Sequence, residues 1–72
     1  SGDILVVDRS LEAKPGKVVI AAIDGQLTVK RLSQTSKGLY LKAENDQYKP
    51  IKVNEISDLI IWGVVTSVVH KV

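Results

Sequence analysis

The stretch Val18-Val19-Ile20-Ala21-Ala22-Ile23-Asp24-Gly25-Gln26-Leu27-Thr28-Val29-Lys30-Arg31-Leu32 decides the fold. Residues 17–23 are almost continuously apolar and rich in valine and isoleucine, side chains that are stiff at the first torsion and favour strands. Such a run reads as a strand covered on both faces. Asp24-Gly25 separates it from a second β-rich run, residues 26–32. A two-residue Asp-Gly connection is a strong hairpin signal, because a type I′ turn needs positive φ at both central positions. The two runs are therefore expected to pair antiparallel. In the second strand the two-residue period puts Leu27, Val29 and Arg31 on one face and Thr28, Lys30 and Leu32 on the other.

The remaining sequence continues in the same style on both sides of this hairpin. Residues 4–8 form a short strand, and Leu11 lies in a polar loop that ends at the turn signal Pro15-Gly16. Residues 39–44 alternate, with Leu39, Leu41 and Ala43 against Tyr40, Lys42 and Glu44, the pattern of a half-buried strand. Residues 45–50 read as a turn, and Pro50 belongs at an edge or a strand start. Residues 51–53 are a brief extended piece, and residues 54–58 are polar apart from Ile56. Residues 59–72 read as one long strand in which Gly63 marks a bulge or bend. No helical period of useful length occurs. Five or so strands in 72 residues predict a small all-β unit of coiled antiparallel sheets, a partial barrel.

Composition narrows the function. The 72 residues allow one domain at most, with no cysteine to staple it, so a partner subunit or further chain is expected to support it. Ten basic residues against eight acidic ones give a net charge of +2, and the basic residues are scattered singly apart from Lys30-Arg31. Phosphate binding favours a clustered patch, and Tyr40, Tyr48 and Trp62 are too few for a base-stacking platform. Direct nucleic-acid binding is therefore not expected. Neither is a membrane span: the most apolar stretch has 14 residues and contains His70 and Lys71, whereas a membrane helix needs about 20. The chain reads as soluble and cytoplasmic.

Few residues carry chemistry. His70 is the sole histidine, which leaves no ligand set for a metal and a poor basis for a Ser-His-Asp triad. No phosphate-binding glycine loop or cofactor motif is present. Asp24-Gly25 is a turn, Asp3 and Asp8 flank a strand as edge-protecting charges, and Trp62 reads as a core or dimer anchor. Lys30 is one of eight lysines and would be an ordinary surface charge unless desolvated. Burial disfavours the ammonium and frees a neutral amine to deprotonate a serine hydroxyl. The apolar stretches at residues 18–23 and 64–69 are the candidates to supply that environment.

Four segments resemble, in order and spacing, the C-terminal domain of the UmuD, LexA and phage-repressor family of self-cleaving serine peptidases. They are Gly2-Asp3-Ile4-Leu5-Val6-Val7-Asp8, the hairpin from Val18 to Leu32, Asn45-Asp46-Gln47-Tyr48-Lys49-Pro50-Ile51, and Trp62-Gly63-Val64-Val65. The resemblance implies the all-β fold of the LexA and signal peptidase type and a serine–lysine dyad whose lysine falls on Lys30. It also implies autocleavage stimulated by the RecA filament in the SOS response. The family's serine lies several residues before the Gly-Asp that matches Gly2-Asp3. Ser1 is therefore not assigned as nucleophile, and residues 1–72 are expected to be a partial, inactive peptidase domain. The endings Gly63-Val64-Val65-Thr66 and Val69-His70-Lys71-Val72 resemble UmuD more than the repressors. That resemblance implies a homodimer that joins a UmuC-like translesion polymerase. The alternatives are the peptidase and dimerisation domain of a LexA-like or phage-like repressor, and a non-catalytic β-rich interaction module.

Overall fold

A computed structural model describes residues 3–45 and 47–70. Ser1, Gly2, Asp46, Lys71 and Val72 lie outside the described residues, and with them the readings placed on Ser1 and on the last residues of the long strand. Six strands form in chain order: β1 (Ile4–Asp8), β2 (Val18–Ile23), β3 (Gln26–Thr35), β4 (Gly38–Lys42), β5 (Ile51–Lys52) and β6 (Leu59–Val69). A single 3-10 turn at Val53–Glu55 occupies part of the polar stretch that had no clear period. The all-β antiparallel expectation holds. The strands make one open sheet in the order β1-β6-β2-β3-β4-β5, antiparallel at each pairing.

The β2–β3 hairpin turns at Asp24 and Gly25, whose φ values are +50° and +85°. That is the pair of positive φ angles a type I′ turn demands. Its register joins Ile23 to Gln26 and continues to Val18 opposite Arg31. Pro50 immediately precedes β5, the edge strand, where its missing N–H costs no ladder bond.

One face of the sheet is the core. Val19, Ala21, Leu32, Leu41 and Val64 are buried there. Ala13, Ile23, Leu39, Val53, Ile56 and Leu59 pack against them half-buried. The alternation in β2 is explicit: Val19 and Ala21 are fully buried, whereas Val18, Ile20 and Ala22 on the other face are only half-buried. The apolar run at residues 17–23 is thus covered on one face and partly open on the other, because among the described residues the fold has a single layer.

β6 is shared by two strands: β2 pairs with its first half through Val64, and β1 pairs with its second half from Val64 onward. Val65 to Val69 therefore have β1 on one side and no described strand on the other. Ile60, Trp62, Val68 and Val69 of this strand are exposed. Gly63 sits at an irregularity in the β2–β6 register between Ile20 and Ala21, as a bulge marker should. The reason is steric. A Cβ at Gly63 would lie 2.5 Å from Val7 Cγ1, 3.2 Å from the Asp8 carbonyl oxygen and 3.3 Å from Arg9 Cγ. Trp62 is not a core residue, being 45% exposed. The bulge turns it outward, where the Arg9 guanidinium lies 5.0 Å from its ring centroid and Arg9 Nε donates to the Trp62 carbonyl at 3.2 Å.

Candidate functional site

Lys30 lies in β3 with Thr28 and Leu32 on the same face, as the two-residue period requires. That face is the buried one: Leu32 is 4% exposed. Across the ladder Lys30 is opposite Val19, Val19 is opposite Val64, and Val64 is opposite Asp8. A row Lys30–Val19–Val64–Asp8 therefore crosses four strands on one face, and its two central members are buried completely or nearly so. Strands lie about 4.8 Å apart, so Asp8 is roughly 14 Å from Lys30 and too far to neutralise it.

The Lys30 side chain is half-buried. It takes part in no ion pair among the described residues. Its ammonium lies 5.9 Å from the ring centroid of Tyr48, which projects from the loop after β4. The Tyr48 face is a weak electrostatic partner for the cation. Thr28 is the hydroxyl nearest in sequence on this face, but its Oγ1 donates to the Ala21 carbonyl at 3.2 Å. Ser33 belongs to the opposite face. The arrangement thus offers an amine on an apolar face with neither a carboxylate nor a described serine engaged with it.

The other candidates stay structural. Asp8 accepts from the Ser10 hydroxyl at 2.6 Å and the Ser10 N–H at 2.8 Å. These bonds, the hydroxyl's first, hold its carboxyl below the ordinary carboxylate range. Asp3 sits 3.2 Å from His70 Nδ1 at the sheet edge. No cluster of three metal-ligating side chains occurs among the described residues, and no described helix is long and apolar enough to cross a membrane. The structure adds Tyr48, which the sequence reading left inside a turn. No spacing links it to Lys30; only the return of the loop over β3 brings the two together.

Comparison with known proteins converges on one family. The family model described as Peptidase S24-like matches residues 1–66. The LexA repressor of Shewanella frigidimarina is 42% identical over 71 residues, covering 97% of this chain and 35% of that protein. The LexA repressor of Ectopseudomonas mendocina is 38% identical over the same span, with the same coverage. The LexA repressor of Shewanella oneidensis is 41% identical, covering 97% of this chain and 34% of that protein. The chain spans about a third of the length of the curated relatives it matches.

Proposed function

This chain belongs to the Peptidase S24-like family, and from that premise we propose that it is the C-terminal part of the self-cleaving serine peptidase domain of a LexA-like repressor, with Lys30 as general base. The observation that carries the reading is the place of Lys30: half-buried, on the core face, between Val19 across the ladder and Leu32 along the strand. In the parent protein a serine outside the described residues supplies the nucleophile. Lys30 Nζ takes the serine hydroxyl proton as Oγ attacks the scissile carbonyl. The resulting ammonium then protonates the leaving amine, and water releases the acyl group with Lys30 acting as base again.

The LexA-like parent is favoured over the UmuD-like one because the relatives named above are LexA repressors. The UmuD-like reading, a translesion polymerase subunit joining a UmuC-like partner, rests on the endings Gly63-Val64-Val65-Thr66 and Val69-His70-Lys71-Val72. The sequence upstream separates the two: a helix-turn-helix domain marks the repressor, a short arm the polymerase subunit. Either parent acts in the cytoplasm and responds to the RecA filament. A homodimer is supported by the side of β6 at Val65 to Val69 that no described strand covers, and by the exposed Val68 and Val69 there. A sedimentation mass that stays monomeric at all concentrations would count against it.

The test is Lys30→Ala in the full-length parent. Autocleavage at alkaline pH should be lost while circular dichroism and the melting temperature stay at wild-type values. Wild-type cleavage by a folded Lys30→Ala protein would remove the assignment.

A further inference from the structure

The end of the sheet away from β1 gathers groups that are scattered in sequence. On the face opposite the core, Ser33 is paired with Tyr40 and Tyr40 with Lys52, so these three form a row across β3, β4 and β5. Lys42 lies two residues further along β4 on the same face. Lys37 stands in the β3–β4 turn, which Thr35 pins by accepting from the Lys37 N–H at 3.1 Å and donating to the Gly38 carbonyl at 3.3 Å. Lys52 lies across the strand at Gly38: a Cβ there would meet Lys52 Cε at 3.0 Å and lie 3.9 Å from its Nζ. Beside these residues is a concave pocket of about 340 Å³ whose walls include Ser33, Ser36, Lys37, Tyr40, Lys42 and Pro50, with Lys52 next to it over Gly38.

Three features bear on what this pocket can hold. The ion pairs among the described residues are Lys14–Glu12, Arg31–Glu44 and His70–Asp3, so Lys37, Lys42 and Lys52 have none. The neighbouring cation Arg31, opposite Lys42, is by contrast neutralised by Glu44 at 3.0 Å. The hydroxyls of Ser33, Ser36 and Tyr40 make no hydrogen bond to another described residue. Lys37 and Lys42 in the wall, with Lys52 beside it, are like charges that an anion would bridge favourably. Ammonium and hydroxyl donors together suit the several acceptor oxygens of a phosphate. The Tyr40 ring and Pro50 add an apolar wall on which a planar base can rest.

We propose that this pocket binds a nucleotide, with its phosphate held by Lys37, Lys42 and Lys52 and its base against Tyr40 and Pro50. The site is independent of Lys30, which faces the other side of the sheet, and of the peptidase reading. The even scatter of basic residues along the sequence argued against nucleic acid. The β3–β4–β5 meander removes that objection for these three lysines by folding them together. An acidic peptide would use the lysines but would leave the ring wall without a purpose.

The experiment is an amide NMR titration of the 72-residue chain with adenosine monophosphate, with a thymidylate strand of roughly eight nucleotides, and with an oligoglutamate of similar charge. Shifts are expected at residues 33–42 and 50–52. The Lys42→Gln/Lys52→Gln pair should weaken binding at least tenfold, while Lys17→Gln leaves it unchanged. For the strand, three lysines predict a slope of log affinity on log salt near −2, about a twentyfold loss for a fourfold rise in salt. Saturation of the same amides by the mononucleotide identifies a free nucleotide as ligand; response to the strand alone identifies a nucleotide within single-stranded nucleic acid. The proposal fails if oligoglutamate binds more tightly than either, if Lys17→Gln weakens binding as much as the paired variant, or if neither nucleotide probe shifts these amides.

Discussion

Replacing Gly63 by alanine isolates the contact that lets β1 and β2 share one strand. The backbone at Gly63 is not in the positive-φ region, where Gly16, Gly25 and Gly38 lie. By itself, then, the added methyl should stabilise by about 0.4–1 kcal/mol through the unfolded chain. Against this stands a Cβ placed 2.5 Å from Val7 Cγ1, when carbon atoms prefer about 3.5–4.0 Å. The Asp8 carbonyl oxygen at 3.2 Å and Arg9 Cγ at 3.3 Å close the other directions of escape. Overpacking of this kind costs about 1–3 kcal/mol, so the clash outweighs the entropic gain. The net loss should be roughly 0.5–2 kcal/mol, which for a urea slope near 1 kcal/mol/M lowers the unfolding midpoint by about 0.5–2 M. Far-ultraviolet circular dichroism against urea measures it directly. Val7→Ala removes the Cγ1 atom, so a double-mutant cycle of Gly63→Ala with Val7→Ala should show a favourable coupling of about 1 kcal/mol or more. A rise in the midpoint for Gly63→Ala, or effects of the two substitutions that simply add, would refute the steric account of the β1–β6–β2 junction.

Leu41 is 1% exposed and is one of five buried core side chains among the described residues. Leu41→Ala should cost about 2–5 kcal/mol, a large part of the roughly 4–11 kcal/mol available to a chain of this length, and lower the thermal midpoint by about 10 °C or more. Asp8 titrates below its ordinary value because Ser10 donates two hydrogen bonds to its carboxylate. A depressed folded pKa stabilises the fold above the unfolded pKa and ceases to do so as pH falls through the folded one. Acid titration of stability should therefore show a loss below about pH 4 that is smaller in Asp8→Asn; equal acid slopes in the two proteins would contradict the role given to Ser10.

Much of the fold was legible before any coordinates. The Asp24-Gly25 turn and both strands it joins follow from contacts a few residues apart. The faces of β3 follow as well, because the two-residue period of a strand is fixed by the backbone alone. This is why Lys30 could be put on the same face as Leu32 from sequence. The family resemblance, carried by motifs along the whole chain, agrees with the Peptidase S24-like match over residues 1–66.

What the sequence did not contain was which strands are neighbours beyond the β2–β3 hairpin. β6 reads as one long valine-rich strand, and nothing local in it specifies its place between β1 and β2, where Val64 completes the buried row with Val19. That pairing joins residues far apart in the chain, so it is selected by burial of apolar surface and not by any local preference. The same long-range choice turns Trp62 outward, brings Tyr48 over Lys30, and folds Lys37 and Lys42 into one pocket wall with Lys52 beside it. The sequence by itself determined which face of its strand Lys30 occupies. Only the tertiary structure decided that this face is the buried one, because the partners that cover it come from distant strands.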